Sequence, residues 1–237
     1  MFFVDRIKTK INTITRIQHE LIWANTWHDT IRGLEWAENI GSISPGRWAV
    51  GYNYVYVMTR ILNEMQPHKV LDLGLGISTT LIGEYFKYFS FADGIHDVIE
   101  HDEKWIEFYT RCHALSKNTE IHRSELQDNH IDGTQYYSFA KFSELVSGKK
   151  YDVISIDAPF GGDVYSRRDL LNFMPDLLED DFVIIVDDAE RKGEQKTIKD
   201  LEMILKKHNI LFEKGLYTGS KDCCVIASQK NKFLCSL

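Results

Sequence analysis

The spacing of apolar and polar positions changes character once along the chain, close to Pro67. Before that point the period is helical. Ile7, Ile11, Ile14 and Leu21 fall on one stripe and predict an amphipathic helix over 5–23. Such a stripe packs on its own domain or pairs with a second copy in a homodimer. Asn25 or Thr26 is a candidate cap for a second helix reaching residue 38. A turn-rich link over 41–46 leads to a third, aromatic-rich helix over 47–65, stopped before Pro67.

Beyond residue 67, short apolar runs alternate with helical stretches. Strands are expected at 70–73, 97–100, 120–122, 151–156 and 182–186. Helices are expected up to 89, from 103 with Asp102 as cap, and over 139–146, 167–178 and 194–208. Residues 128–137 read as polar and irregular, and 210–213 and 223–228 as two last strands joined by a loop holding Gly215 and Gly219. The alternation implies an α/β fold with a mainly parallel sheet covered on both faces. The chain divides into an N-terminal helical cap, 1–66, on the substrate side and a sheet domain, 67–237.

The sharpest local signal is VLDLGLGISTT over 70–80. An apolar strand runs into Gly74 and Gly76, and Ser78, Thr79 and Thr80 suit a helix start. Glycine turns the backbone sharply and lets a ligand approach without meeting a β-carbon. The helix aims free N–H groups at whatever sits there. The next strand ends in Glu100, at about the interval, roughly 20 residues, at which an acid reaches a ribose. His101 adjoins it and is a candidate for lining the same pocket, a lone histidine being otherwise ordinary surface. A nucleoside cofactor fits this pattern. A dinucleotide is less favoured, because the third glycine of its fingerprint is replaced by Thr79.

Two later strands also end in acids, Asp157 and the pair Asp187 and Asp188. Strand ends of this kind face the ligand crevice of an open parallel sheet. Three carboxylates meeting there repel unless a cation or a proton lies between them. Oxygen-only ligands suit Mg²⁺, or Mn²⁺, which would lower the pKa of an acceptor hydroxyl. Alternatively Asp157 or Asp188 acts as a general base without metal, or the acids meet Arg167, Arg168 or Arg191. Lys192 and Lys196 rank lower as bases, since lysine needs a depressed pKa. In the N-terminal segment Trp27, His28, Arg32, Arg47, Trp48 and Tyr52 suit a polar ring substrate, or else the indoles fill the contact with the sheet.

Composition narrows the partners. Of 237 residues 43% are hydrophobic, enough for one substantial core. A net charge of −7 disfavours a nucleic acid. The four cysteines lack metal-ligand spacing, and neighbouring Cys223 and Cys224 in a strand face opposite ways. No run is long enough to span a membrane, and the N-terminus lacks a signal-peptide core, so a soluble, cytoplasmic protein is expected.

Over residues 67–228 these motifs resemble those of class I S-adenosylmethionine-dependent methyltransferases: VLDLGLG is similar to the cofactor loop and VIEHD to the ribose-acid strand. The resemblance implies a Rossmann-like sheet with an antiparallel C-terminal strand. It also implies S-adenosylmethionine passing Gly74, Gly76 and Ser78, with Asp72 by its amino group, Glu100 on its ribose, and Ser124 and Glu125 by the adenine edge. Asp157, Asp187 and Asp188 resemble the Mg²⁺ ligands of catechol-type O-methyltransferases, Asp188 standing for the usual Asn. GLGIST, VIEHDEKW, IDAP and VDDAER resemble the glucuronoxylan O-methyltransferase group, with Phe160 in place of an arginine and Asp187 in place of a histidine. The expected activity is methyl transfer to a hydroxyl of a saccharide. The alternatives are a catechol-like or N-methyltransferase and a non-catalytic binding protein.

Overall fold

A computed structural model describes residues 2–46 and 48–236. Seven strands form one sheet. They are β1 (Lys69–Leu73), β2 (Ile95–Glu100), β3 (Thr119–Arg123), β6 (Tyr151–Ile156), β7 (Leu178–Val186), β8 (Phe212–Thr218) and β9 (Asp222–Ser228), in the order β3-β2-β1-β6-β7-β9-β8. Pairing is parallel from β3 through β7, and β9 lies antiparallel to both β7 and β8. The expected Rossmann-like sheet with an antiparallel C-terminal strand is therefore present.

Each central strand is apolar on both faces because helices cover both. Val70, Val153, Val183 and Val225 look into one core; Leu71, Ile154, Ile184 and Ile226 look into the other. Cys223 and Cys224 divide the same way, one to each core. The helices are α1 (Phe2–Thr30), α2 (Tyr52–Arg60), α3 (Ile77–Phe89), α4 (Glu103–Cys112), α5 (Phe142–Val146) and α6 (Lys192–Lys207). Asp102 caps α4 as expected, accepting from the N–H groups of Lys104 and Trp105.

The N-terminal segment departs from expectation in two ways. The separate helix expected to start at Asn25 or Thr26 and reach residue 38 does not form: α1 runs on to Thr30, and Gly33 at φ +80° ends the helical path and leaves a 3₁₀ turn, Glu35–Ala37. The stripe that packs is also a different one. Ile11, Ile14 and Leu21 stay exposed, each more than half accessible. The inner face carries Arg16, Glu20, Trp23 and Trp27, at helical spacing. Arg16 pairs with Asp222 at 2.9 Å, Glu20 accepts the Tyr52 and Ser220 N–H groups, and the Trp23 indole donates to the Thr218 carbonyl. Trp27 is buried, with its N–H on Thr59 Oγ1 at 3.0 Å. Each indole buries a large apolar ring and finds a partner for its N–H. Trp23, Trp27 and Trp36 share one core with β1, β7 and β9. Arg47 lies outside the described residues, as does the Ile7 side chain.

Two further corrections fall in the sheet half. Residues 128–137 belong to an antiparallel hairpin, β4 (Leu126–Ile131) with β5 (Thr134–Phe139). Its turn is Asp132-Gly133, both at positive φ, the geometry that a two-residue hairpin selects. The stretch 167–178 holds no α-helix beyond a 3₁₀ turn, Asp169–Phe173, because Arg167 at φ +52° cannot enter a right-handed helix and Pro175 cannot donate. Gly215 sits inside β8 rather than in a loop.

If Trp27 is core, Trp27→Ala lowers unfolding stability by about 3–5 kcal/mol. Trp48, 94% exposed, tolerates the same change within about 0.5 kcal/mol. Urea denaturation monitored by circular dichroism separates the two, and equal effects would contradict the packing described.

Candidate active site

The carboxyl ends of β1, β2, β6 and β7 meet around the glycine bend. Asp72, fully buried, accepts from Ser78 Oγ at 2.9 Å, Thr79 Oγ1 at 2.7 Å and Ser155 Oγ at 2.6 Å. Tyr54 on α2 meets Ser155 Oγ at 2.6 Å. Burial and the neighbouring Asp72 push the Tyr54 phenol well above 10, so it keeps its proton. These contacts tie β1 to the start of α3, to β6 and to the N-terminal segment. Asp72 and Ser78 thus bond each other beneath the bend.

Gly74 is held by geometry. Its φ is +111°, and an added Cβ would lie 3.2 Å from that of Ala158. The same contact brings the end of β6, with Asp157, against the bend. Gly76 opens on free space, where an added Cβ would meet no atom within 4 Å. Its N–H donates to Thr79 Oγ1.

Glu100 closes the other side. One carboxylate oxygen accepts the Leu75 N–H at 3.1 Å; the other accepts the His101 and Asp102 N–H groups and lies 2.7 Å from His101 Nδ1. Burial raises the Glu100 pKa, but His101 and the N–H groups of Asp102 and Leu75 outweigh it, and the net shift is downward. His101 shifts upward because it bonds Glu100. Beyond His101 the exposed Phe160 ring lies 5.6 Å away and also meets Tyr137 of the hairpin at 4.8 Å. Ser124 is buried and bonds the Lys141 N–H, whereas Glu125 is exposed beside Arg123.

Asp157, Asp187 and Asp188 do converge, with one oxygen of each within 4.8 Å of the others. Two cations that the motif reading did not place together share that space. Arg167, buried, sets Nη2 3.1 Å from Asp157 Oδ1 and 2.7 Å from Asp188 Oδ2, and Nη1 on the Asp187 carbonyl. Lys221, in the turn between β8 and β9, sets Nζ 3.3 Å from Asp187 Oδ2 and 3.4 Å from Asp188 Oδ1. Arg191 reaches Asp188 from outside at 2.9 Å. Among the three acids Asp157 is the most open, with its side chain 22% exposed against 0% for Asp187 and 2% for Asp188. Burial and Asp187 hold the Asp157 pKa well above its usual range despite Arg167 and Lys221. Asp187 is pushed up to about 6, chiefly by burial. The donor set does not fit a divalent ion as it stands, since a guanidinium and an ammonium already contact its oxygens. Arg167 was visible as a possible acid partner. Lys221 carried no local signal, because only the β8–β9 turn brings it here.

Of the aromatic set, Trp27, His28 and Tyr52 come together, with ring centroids 4.9–6.0 Å apart. Arg32 pairs with Asp29 at the surface, and Trp48 stands in solvent. Lys196 pairs with Asp200. No helix among the described residues is long and apolar enough to cross a membrane.

No family model and no curated protein matches this sequence. Solved structures do. An O-methyltransferase from Bacillus cereus, in complex with SAH, superposes with a TM-score of 0.56 at 15% identity, covering 92% of this chain and 100% of the other. TomG from Streptomyces achromogenes, an O-methyltransferase of tomaymycin synthesis in complex with SAM, gives 0.54 at 13% over 81% and 82%. The SAH-bound methyltransferase PaMTH1 from Podospora anserina gives 0.53 at 11% over 97% and 96%. At such identities the likeness is one of fold, and the fold is that of class I methyltransferases.

The Glu100–His101 contact has a definite pH signature. The lowered Glu100 stabilises the fold above its unfolded value of about 4.5 and loses that effect as pH falls through its folded pKa; the raised His101 stabilises below about 6.5 and loses it as pH rises through its own. The pair contributes most between those limits. NMR titration should place His101 above 6.5 and return it toward that value in Glu100→Gln. An unchanged titration in the variant would contradict the contact.

Proposed function

We propose that this protein is an S-adenosylmethionine-dependent O-methyltransferase acting on a hydroxyl of a polar small molecule, with a saccharide as the acceptor class. The observation that carries this reading is the contact of bend and acid: Gly74 packs on Ala158, so the partly open Asp157 borders the place where the bend receives a ligand. The SAM and SAH bound by the structural neighbours support the choice of cofactor. The partly open Asp157 and Lys221 support a polar acceptor.

When bound, S-adenosylmethionine supplies an electrophilic methyl carried on a sulfonium. This chain then has two tasks, positioning and proton removal. Gly74, Gly76 and Ser78 shape the bend over which the ligand lies, and Asp72 fixes their geometry from beneath. Glu100 would accept from the ribose, with His101 and Phe160 forming the wall beside it. Asp157 would take the hydroxyl proton of the acceptor as its oxygen receives the methyl group that the cofactor supplies. Asp188 acts through Arg167, which it holds against Asp157, rather than by touching the acceptor. A second reading, an aromatic catechol-like acceptor, keeps the same cofactor and base; of the ring cluster His28 and Tyr52 are open to such a ring, Trp27 being core.

A panel of sugar and phenol acceptors, assayed with radiolabelled S-adenosylmethionine, tests both. Label on sugars supports the first reading, and label on phenols alone supports the second. Asp157→Asn should lower kcat by about 10²–10⁴-fold while cofactor binding persists. kcat/KM in the native protein should rise with pH through the acid range, as the Asp157–Asp187 pair loses its proton. Full activity in Asp157→Asn would remove Asp157 as base, and no transfer to any acceptor would favour a non-catalytic protein.

A further inference from the structure

We infer that Arg167 and Lys221 take the electrostatic place of a divalent cation between Asp157, Asp187 and Asp188, and that Lys221 is a positioning residue for metal-free methyl transfer. The metal-free step rests on the function proposed above; the occupation of the site by side-chain cations does not.

Both cations are fixed from several directions. Arg167 contacts Asp157, Asp188 and the Asp187 carbonyl, and its Nε lies 3.6 Å from Glu194 Oε1. Glu194 is itself buried and held by Ser166 Oγ at 2.7 Å. The Arg167 backbone is in the left-handed region, at φ +52°, as is Asp188 at +58°. Two non-glycine residues held there face each other across one ion pair, an arrangement that the surrounding contacts must enforce. Lys221 is held by the N-terminal segment. Its backbone carbonyl accepts from Asn53 Nδ2 at 2.8 Å, and the adjoining Ser220 N–H is held by Glu20. The N-terminal segment thus clamps the β8–β9 turn and directs the ammonium at the acids.

Charge and access argue the same way. Asp157, Asp187, Asp188 and Glu194 face Arg167, Lys221 and Arg191, so a single negative charge is left in excess. A hard ion needs oxygens at about 2.0–2.1 Å. It would have to lie among the same oxygens that Nη2 and Nζ already contact, and the two fixed cations would repel it. Two of the three acids are sealed, so such an ion would also sit behind Asp157, away from the open side of the crevice. Two carboxylate oxygens of the cluster, Asp187 Oδ1 and Asp188 Oδ1, are buried without a hydrogen-bond partner. Arg191 and Lys221 lie at ion-pair distance from Asp188 Oδ1, whereas among the described residues Lys221 alone reaches an Asp187 carboxylate oxygen, which leaves Asp187 dependent on Lys221 for its counter-charge.

The test has one arm that needs no acceptor. Electron paramagnetic resonance of Mn²⁺ titrated with the full-length native protein should show the free-ion signal undiminished at millimolar metal. A stoichiometric loss of that signal, abolished by Asp187→Asn, would overturn the inference whatever the acceptor proves to be. In the activity arm, a strong chelator should leave methyl transfer unchanged. Lys221→Gln should lower kcat on the order of a hundredfold, with the KM for S-adenosylmethionine unmoved, and Lys221→Arg should recover most of the loss. Rescue by Arg together with an unmoved KM is not the result of simple misfolding. Activity lost to the chelator and restored by Mg²⁺ would refute metal-free transfer, and a Lys221→Gln enzyme with native kcat would refute the role of Lys221. A failure of all acceptors with an intact Mn²⁺ signal would remove the function proposed above while leaving the assignment of the cations standing.

Discussion

A carboxylate with no access to water decides where everything else lies. Asp72 ends the first strand and takes hydroxyl donors from two residues of α3 and one of β6. A buried charge is costly unless fully bonded, so these three elements cannot separate without stranding it. The glycine bend between Asp72 and α3 is therefore held at both ends. Its open side faces the crevice, and Glu100 supports it laterally through the Leu75 N–H.

Around that fixed bend the N-terminal segment acts as more than a cover. Tyr54 reaches the Asp72 network through Ser155, while Asn53 and Glu20 hold the turn that carries Lys221. The same segment fills the core beside β1, β7 and β9 with indole rings. Packing of this segment and electrostatics of the acid cluster are thus parts of one structure: a change that loosens α1 on the sheet also releases the counter-charge of Asp187.

The strands, the bend and the α4 cap were legible because each rests on a local rule: an apolar run buried on both faces, glycine where no β-carbon fits, a carboxylate ahead of a helix. The convergence of Asp157 with Asp187 and Asp188 was legible too, since strand ends share one edge in a parallel sheet. Other features were set by distant contacts. The inner face of α1 is defined by Arg16, Glu20, Trp23 and Trp27 meeting β8, β9 and α2, and an isoleucine stripe pointed to the wrong side. Arg167, at φ +52°, breaks the helix expected around it, and its guanidinium meets acids from the ends of β6 and β7. Lys221 arrives by tertiary connection alone. The β4–β5 hairpin is different: Asp132-Gly133 announced it locally, and the polarity of its flanks obscured the signal.

The central claim is that the bend and Glu100 grip one adenosyl ligand, and calorimetry with S-adenosylhomocysteine addresses it most directly. The native protein should bind one equivalent, and Gly76→Leu, whose side chain would enter the open space beside the bend, should abolish the heat without unfolding the chain. No heat with the native protein, or unchanged heat with the folded variant, would contradict the account.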